Sequence, residues 1–329
     1  MLGFSVYFDK DIDIESVIEK NRDFSLVFTS LHYPSDDESY NRFLSLYNSC
    51  KDYSIKICVD INNETLKNHP ELIEMDLILR LDFGFTYNEI SELSHKKSLA
   101  INASTIDKDF LDKLKIANTK MSNIIAIHNF YPLEYSGLSE DYFIKQNNLI
   151  KSYGLSLGAF IPGNGRLRGP VYKGLPTLEE DRYKNPYSIF IKFERKYKLD
   201  LILLSEDIKT LDKEYICKFN NENIVTLPVS FLEASNYIEK IKVRADISDY
   251  LIRNIREKRD LSPRNPKFIK RGDIVILNNL SGRYRGEIEI IKKDLGVSPE
   301  RNLIGRVKDD YLEIINYIKG GDLVEFDRR

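Results

Sequence analysis

Cysteine is scarce in this chain. Its three copies, Cys50, Cys58 and Cys217, are odd in number and lack metal-ligand spacing. That pattern argues against a disulfide framework or a zinc site and fits a reducing compartment. An excess of charge of one sign is also missing: 49 Lys and Arg face 51 Asp and Glu, for a formal net charge of -2. Total charge therefore calls for neither nucleic acid nor an anionic membrane as partner. No stretch approaches the roughly 20 apolar residues of a membrane span. The start, "MLGFSVYFDKDIDIESV", has no basic leading region and is too polar for a signal peptide, so a cytoplasmic protein is expected. There is no Walker lysine pattern and no dinucleotide fingerprint, which disfavours a nucleotide. Low-complexity segments are absent too. What remains is an ordinary globular composition, 42% hydrophobic over 329 residues, enough for one large domain and a small one.

Short, β-rich apolar runs recur along the first two thirds: "GFSVYF", "SLVFTSLH", "SIKICVDI", "LILRLDFGF", "SLAINAS", "IIAIHNFYP", "LSLGAFIPG" and "DLILLSED". Runs that are apolar nearly throughout suit strands buried on both faces of a parallel sheet. Helical segments lie between them. Ile106, Phe110 and Leu114 share one face behind a capping Thr105, and Ser139 opens a helix that stops at Gly154. Thr177 and Glu180 form a capping-box pattern before "DRYKNPYSIFIKFERKYK". Eight β-then-α units in series predict a closed (β/α)8 barrel of the TIM type over residues 1–240. An open doubly wound sheet is the competing arrangement. From residue 243 onward the pattern changes. "VRADISDYLIRNIREKRDLSPRNPKF" reads as a linker or crossing segment, and the strand-like runs after it predict a small β-rich domain over 243–329.

Barrel chemistry sits at the C-terminal ends of the strands, so polar residues should collect there, and they do. Ser30 and His32, Asp60, Arg80 and Asp82, Asn102 and Ser104, His128 and Asn129, and Ser205, Glu206 and Asp207 all stand at run ends. The loop "IPGNGRLRGPVYKGLPTLEEDR" adds glycines 163, 165 and 169 with Arg166 and Arg168. Backbone N–H groups and guanidinium forks in such a loop suit a phosphate or carboxylate. Tyr7, Phe83, Phe85, Phe130, Tyr131 and Tyr135 are expected near the same rim. Aromatic faces beside carboxylates and anion-binding arginines suit a phosphorylated sugar, and paired carboxylates suit cleavage of its glycosidic bond.

The segments "FTSLHYP", "RLDFGF", "INAS", "HNFYPLEYSGLS", "IPGNGRLRGPVYKGLPTLEEDR" and "RGDIVILNNLSGRYRGEIEI", in this order, resemble the bacterial 6-phospho-N-acetylmuramidase family. The resemblance implies a TIM-type barrel followed by a small cyclophilin-like domain. It also implies hydrolysis, without metal or organic cofactor, of N-acetylmuramic acid 6-phosphate linked to N-acetylglucosamine. Where the motifs match, it carries over His32, Asp60, Arg80, Asp82, Asn102, His128, Asn129, Tyr131, Gly163, Gly165, Arg168 and Glu180. The chain departs from the family pattern at Leu133, Glu134, Ser136, Asn164 and Ser205-Glu206-Asp207.

On this reading Asp60 and Asp82 are the catalytic carboxylates, one the acid and the other base or nucleophile. Glu180 and Glu206 are rival acids. Tyr7, His128, Asn129 and Tyr131 are expected to hold the sugar, and Arg166 and Arg168, joined by Arg283 of the small domain, the phosphate. Partners other than the disaccharide are not called for, and a homodimer is left open. Two rival functions stand beside it: another phosphosugar enzyme (isomerase, epimerase or aldolase), and a phosphosugar-binding protein without turnover.

Overall fold

The computed structural model describes the chain except for residues 9–11, 32–36, 234–237 and 256–258. It forms two compact units, residues 1–186 with 197–209 and residues 187–196 with 210–329.

The first unit is built on eight parallel strands: β1 (Leu2–Ser5), β2 (Leu26–Ser30), β3 (Lys56–Ile61), β4 (Ile78–Leu81), β5 (Ser98–Asn102), β6 (Ile124–Ile127), β7 (Ser156–Ile161) and β8 (Leu201–Leu204). Each pairs with the next, and β1 pairs with β8, where Gly3 lies opposite Leu203. That last pairing closes the sheet and rules out the open doubly wound alternative. Leu26, Phe28, Cys58, Ala100, Ile127, Phe160, Leu201 and Leu203 form one buried cluster, the packed filling of a small barrel rather than a pore. Burial on both sides explains why the strand runs are almost wholly apolar.

Helices α1 (Ile14–Lys20), α2 (Asp37–Asp52), α3 (Asn63–Asn68), α4 (Tyr87–Lys96), α5 (Lys108–Ile116) and α6 (Glu140–Ser152) alternate with the strands. Ser139 caps α6 as expected, accepting the Tyr142 N–H, and Gly154 follows its end at φ +78°. Two expected caps are corrected. Asp107, not Thr105, caps α5, because its carboxylate accepts the Phe110 N–H three residues on. The Thr177–Glu180 capping box does not form. The Thr177 hydroxyl is taken up by the sheet, accepting from Phe160 N and donating to Asn129 O.

Helices α7 (Pro186–Lys192) and α8 (Thr210–Glu222) precede the strands of the second unit. Those strands are β9 (Ile224–Phe231), β10 (Lys240–Lys242), β11 (Leu251–Arg253), β12 (Phe268–Ile269), β13 (Asp273–Leu277), β14 (Ile288–Ile291), β15 (Gly296–Val297), β16 (Arg301–Val307) and β17 (Leu323–Asp327). Seven of them make one sheet in the order β10-β17-β9-β16-β13-β14-β11, and β12 pairs with β15. The stretch read as a linker therefore contributes a strand: Leu251–Arg253 pairs antiparallel with β14, and Ile252 is fully buried.

Candidate active site

The rim of the barrel is governed by strand parity. Side chains alternate between the inside and the helix side. Cys58 belongs to the inner cluster, so Asp60 at the end of β3 faces the same way, toward the mouth. Register sets Arg80 of β4 directly beside it, and Arg80 Nη1 donates to Asp60 Oδ1 at 2.6 Å. Arg80 Nη2 donates to Asn129 Oδ1 at the end of β6. Burial opposes the charge on Arg80, but the Asp60 carboxylate outweighs it and raises the guanidinium pKa, with Asp82 adding to the effect. The hydroxyl of Ser30 and Nε of Arg80 are buried without a hydrogen-bond partner among the described residues, leaving polar valences beside this pair. Asp82 lies two residues beyond Arg80, exposed, with its N–H bonded to Ile61 O.

Aromatic rings floor the mouth. Tyr7 meets Phe130 edge-on at 6.1 Å, and Phe160 packs edge-on against both Phe130 and Phe28. The Arg168 guanidinium stacks on this floor, 3.6 Å from the Tyr7 ring centre and 4.9 Å from that of Phe130. A cation over aromatic faces stays charged while giving up part of its hydration. Burial pushes the Tyr7 phenol up to about 12; Arg168 counters this and Asp60 adds to it.

The loop carrying Arg168 is held by Glu206. One carboxylate oxygen accepts from Arg168 N at 2.9 Å and the other from Leu175 N at 3.1 Å. Burial nevertheless raises the Glu206 pKa, against the pull of those N–H groups and of Arg168. Close approach explains two of the loop's glycines. A Cβ on Gly163 would stand 2.1 Å from Asp207 O, and one on Gly165 would meet the Asp207 side chain at 2.9 Å. Between this loop, β1 and α1 lies a cavity of about 460 Å³ lined by Tyr7, Arg166, Arg168, Tyr172, Glu206 and Lys20. Arg166 is exposed there, and Lys20 pairs with Asp207 at 2.6 Å. Lys20 carries no sequence signal, since its partner lies 187 residues away.

Several expected site residues lie elsewhere. His128 and Asn129 are neighbours at one strand end, so parity sends them to opposite sides. Asn129 takes the mouth. His128 is fully buried against α6, with Nε2 2.9 Å from Asn147 Oδ1, Nδ1 3.3 Å from Ser104 Oγ, and the Phe143 ring at 4.6 Å. Burial lowers its pKa to about 4. It is corrected from a sugar ligand to a core histidine, one step removed from the mouth: Ser104 Oγ accepts the Asn129 N–H and donates to His128 Nδ1, leaving Nε2–H for Asn147.

Glu180 is exposed; its neighbour Glu179 is the anchored carboxylate. Glu179 accepts from Arg182 Nε and Nη2, and from the N–H groups of Tyr135 and Gly137. Those bonds, Arg182 first, lower its pKa to about 2 against the opposing effect of burial. Arg182 also donates to the carbonyls of Tyr131, Leu133 and Gly174. This buckle, absent from the sequence reading, holds the loop after β6. Tyr135 stands on it, 90% exposed and at φ +67°. Asn102 and Tyr131 are half-buried; the first accepts Ser104 N–H, and the second donates its own N–H to Pro176 O. His32 lies outside the described residues. Arg283 belongs to the second unit, where it donates to the Tyr284 hydroxyl at 2.6 Å. Among the described residues no group of three His, Cys, Asp or Glu side chains is arranged to hold a metal ion.

A closed parallel barrel with a polar, carboxylate-bearing mouth at the C-terminal strand ends defines a (β/α)8 protein built for chemistry at that face. The 6-phospho-N-acetylmuramidase N-terminal family model matches residues 2–221, and the C-terminal model of the same family matches residues 225–327. The chain belongs to this glycosidase family. Among solved structures, a conserved Enterococcus faecalis protein of unknown function is 29% identical, covering 100% of this chain and 96% of that one at a TM-score of 0.91. An uncharacterized B. cereus protein is 24% identical, with 99% of both chains covered and a TM-score of 0.83. These neighbours share the two-unit fold. No curated protein sequence matches the chain.

Proposed function

We propose that the protein hydrolyses the bond between N-acetylmuramic acid 6-phosphate and N-acetylglucosamine, in the cytoplasm, as part of recovering peptidoglycan. The observation that carries this reading is a carboxylate held beside a buried arginine at a mouth whose cavity is lined by further cations. Asp60 faces the mouth, paired with Arg80, while Arg166, Arg168 and Lys20 line the adjoining cavity. Phosphate on the muramoyl ring would lie against the guanidiniums of Arg166 and Arg168, on a loop whose Gly165 and Arg168 N–H groups are already bonded to Asp207 O and Glu206.

The role of Asp60 follows from its surroundings. A carboxylate in a buried ion pair is favoured in its charged form, so Asp60 serves as base or nucleophile, or stabilises positive charge at the anomeric carbon. Asp82, two residues beyond Arg80 on the same face of the strand, is the carboxylate left to protonate the departing N-acetylglucosamine oxygen, a role assigned by position rather than by its surroundings. Glu206 is the second candidate for the acid, because burial raises its pKa, although both its oxygens already receive N–H bonds. Asn129 and Asn102 offer hydrogen bonds to ring substituents, and Tyr7 and Phe130 an apolar floor.

The test is incubation with the phosphorylated disaccharide and with the same disaccharide lacking phosphate, following free N-acetylglucosamine. Release from the phosphorylated form alone is expected; release from neither overturns the substrate assignment. An aryl glycoside of the phosphosugar separates the roles. With a good leaving group, Asp82→Asn should retain most of its rate while Asp60→Asn should not.

A further inference from the structure

The motif "RGDIVILNNLSGRYRGEIEI" is left unused by barrel chemistry, and it builds a cleft within the second unit. Along β14, Ile288 and Ile290 turn into the core, so Glu287 and Glu289 share the opposite face. Arg253 of β11 stands in register with Glu289, and Arg301 of β16 lies across the sheet. A turn over Asn279–Tyr284 supplies a rim with Leu280 and Tyr284. The resulting cleft has a volume of about 660 Å³.

Its arginines are already engaged. Arg301 donates to Glu289 at 2.7 Å, to Glu300 at 2.9 Å and to Ser298 at 2.9 Å. Arg253 and Arg244 both donate to Asp246. Glu287 is left over: Arg244 Nη1 and Arg253 Nε stand 3.6 and 4.0 Å from its carboxylate oxygens, too far for hydrogen bonds. Only 2% of Glu287 is exposed, and its Oε2 is buried with no hydrogen-bond partner among the described residues. The missing group is therefore a donor. Charge says more. Among the groups joined by ion pairs, Glu287, Glu289, Glu300 and Asp246 are four carboxylates against the three guanidiniums of Arg244, Arg253 and Arg301, an excess of one negative charge. Lys292 and Arg283 are turned instead to the Ser248 carbonyl and the Tyr284 hydroxyl. A hydroxyl would satisfy the hydrogen bond but leave that charge. A cation satisfies both.

We infer that this cleft binds an organic ammonium ion, seated against Glu287 with its carbon skeleton over Leu251, Leu277 and Leu280. Burial raises the Glu289 pKa against the pull of Arg301, and the neighbouring Glu287 charge adds to the rise, a strain that a bound cation relieves. The test compares glucosamine, which carries the ammonium, with N-acetylglucosamine, which replaces it by a neutral amide, following the leucine methyl NMR signals of the full chain. Glucosamine should shift the methyls of Leu251, Leu277 and Leu280 saturably, and N-acetylglucosamine should not. Glu287→Gln should weaken the glucosamine response about tenfold or more. Leu280→Lys, at a rim position 62% exposed, tethers an ammonium beside the cleft and should abolish the response; it decides the matter if Glu287→Gln does not fold. Equal shifts from both sugars, shifts from neither, or wild-type binding in the variants would overturn the inference.

Discussion

Asp60 and Arg80 are each half of a pair that neither residue can leave cheaply. The ion pair is almost fully buried, with the two side chains 12% and 5% exposed. Removing one partner leaves a charge without compensation, at a cost of about 3–5 kcal/mol. Asp60→Asn is therefore expected to lower kcat/KM by about a thousandfold or more and to lower the thermal midpoint as well. Asp82→Asn, at an exposed position, should affect rate on the disaccharide without a comparable loss of stability. Circular dichroism melts beside the kinetics distinguish the two. An Asp60→Asn protein with near-normal turnover would remove this residue from the chemistry.

His128 makes a different residue-scale prediction. Its folded pKa, near 4, lies below the ordinary value of 6.5 because the ring is buried neutral. The unfolded chain takes up a proton that the folded chain refuses, so stability is full above about pH 6.5 and declines as pH falls toward 4. The shift corresponds to about 3 kcal/mol over that window. Urea unfolding at pH 7 and pH 5 should show the loss in the wild type, and His128→Gln should flatten that pH dependence. Identical pH dependence in the two proteins would place the effect elsewhere.

At the scale of elements, two loops determine the shape of the mouth. The loop after β6 depends on the Glu179 carboxylate, which satisfies the N–H groups of Tyr135 and Gly137 while pairing with Arg182. Glu179→Ala should leave those amides open to water. Hydrogen exchange at Tyr135 and Gly137 should then speed up by about tenfold or more, as expected for the loss of a charge-assisted bond. Unchanged exchange would show that the loop is held without the buckle. The loop after β7 depends on close approach instead. Gly163→Ala drives a methyl into the backbone at Asp207, so the segment carrying Arg166 and Arg168 must move. KM for a phosphorylated substrate should rise more than kcat falls, whereas an unphosphorylated analogue should be affected little.

At the scale of the molecule, the chain passes between its two units after residues 186, 196 and 209. Residues 187–196 fold with the second unit through side-chain anchors. Tyr187 accepts the Thr226 N–H at 2.8 Å, and Arg195 pairs with Asp322. Strand β9 lies between β17 and β16. A fragment of residues 1–240 would carry Arg195 and β9 without these partners, leaving a buried cation and two strand edges unpaired. It is expected to aggregate, while the full chain stays monodisperse in light scattering. A well-folded, active fragment would show that the second unit is dispensable. No helix among the described residues is long and apolar enough to cross a membrane.

Much of this was legible in the residues. Apolar runs spaced by amphipathic segments specified a parallel barrel, because burial on both faces and helical periodicity are local patterns. The resemblance of the quoted motifs to 6-phospho-N-acetylmuramidases agrees with the family models that match the chain. Strand parity was also available, and applied at His128 and Asn129 it would have removed the histidine from the mouth. Tertiary structure alone decided the rest. Asp60 meets Arg80 because strand register aligns them, Lys20 meets Asp207 across 187 residues, and Glu179 rather than Glu180 turns inward to hold a loop. Such pairings depend on where closure of the barrel brings distant strand ends and loops, and that geometry has no signature in local spacing. Periodicity declares which face of an element is buried; only the closed sheet determines which charges then share that space.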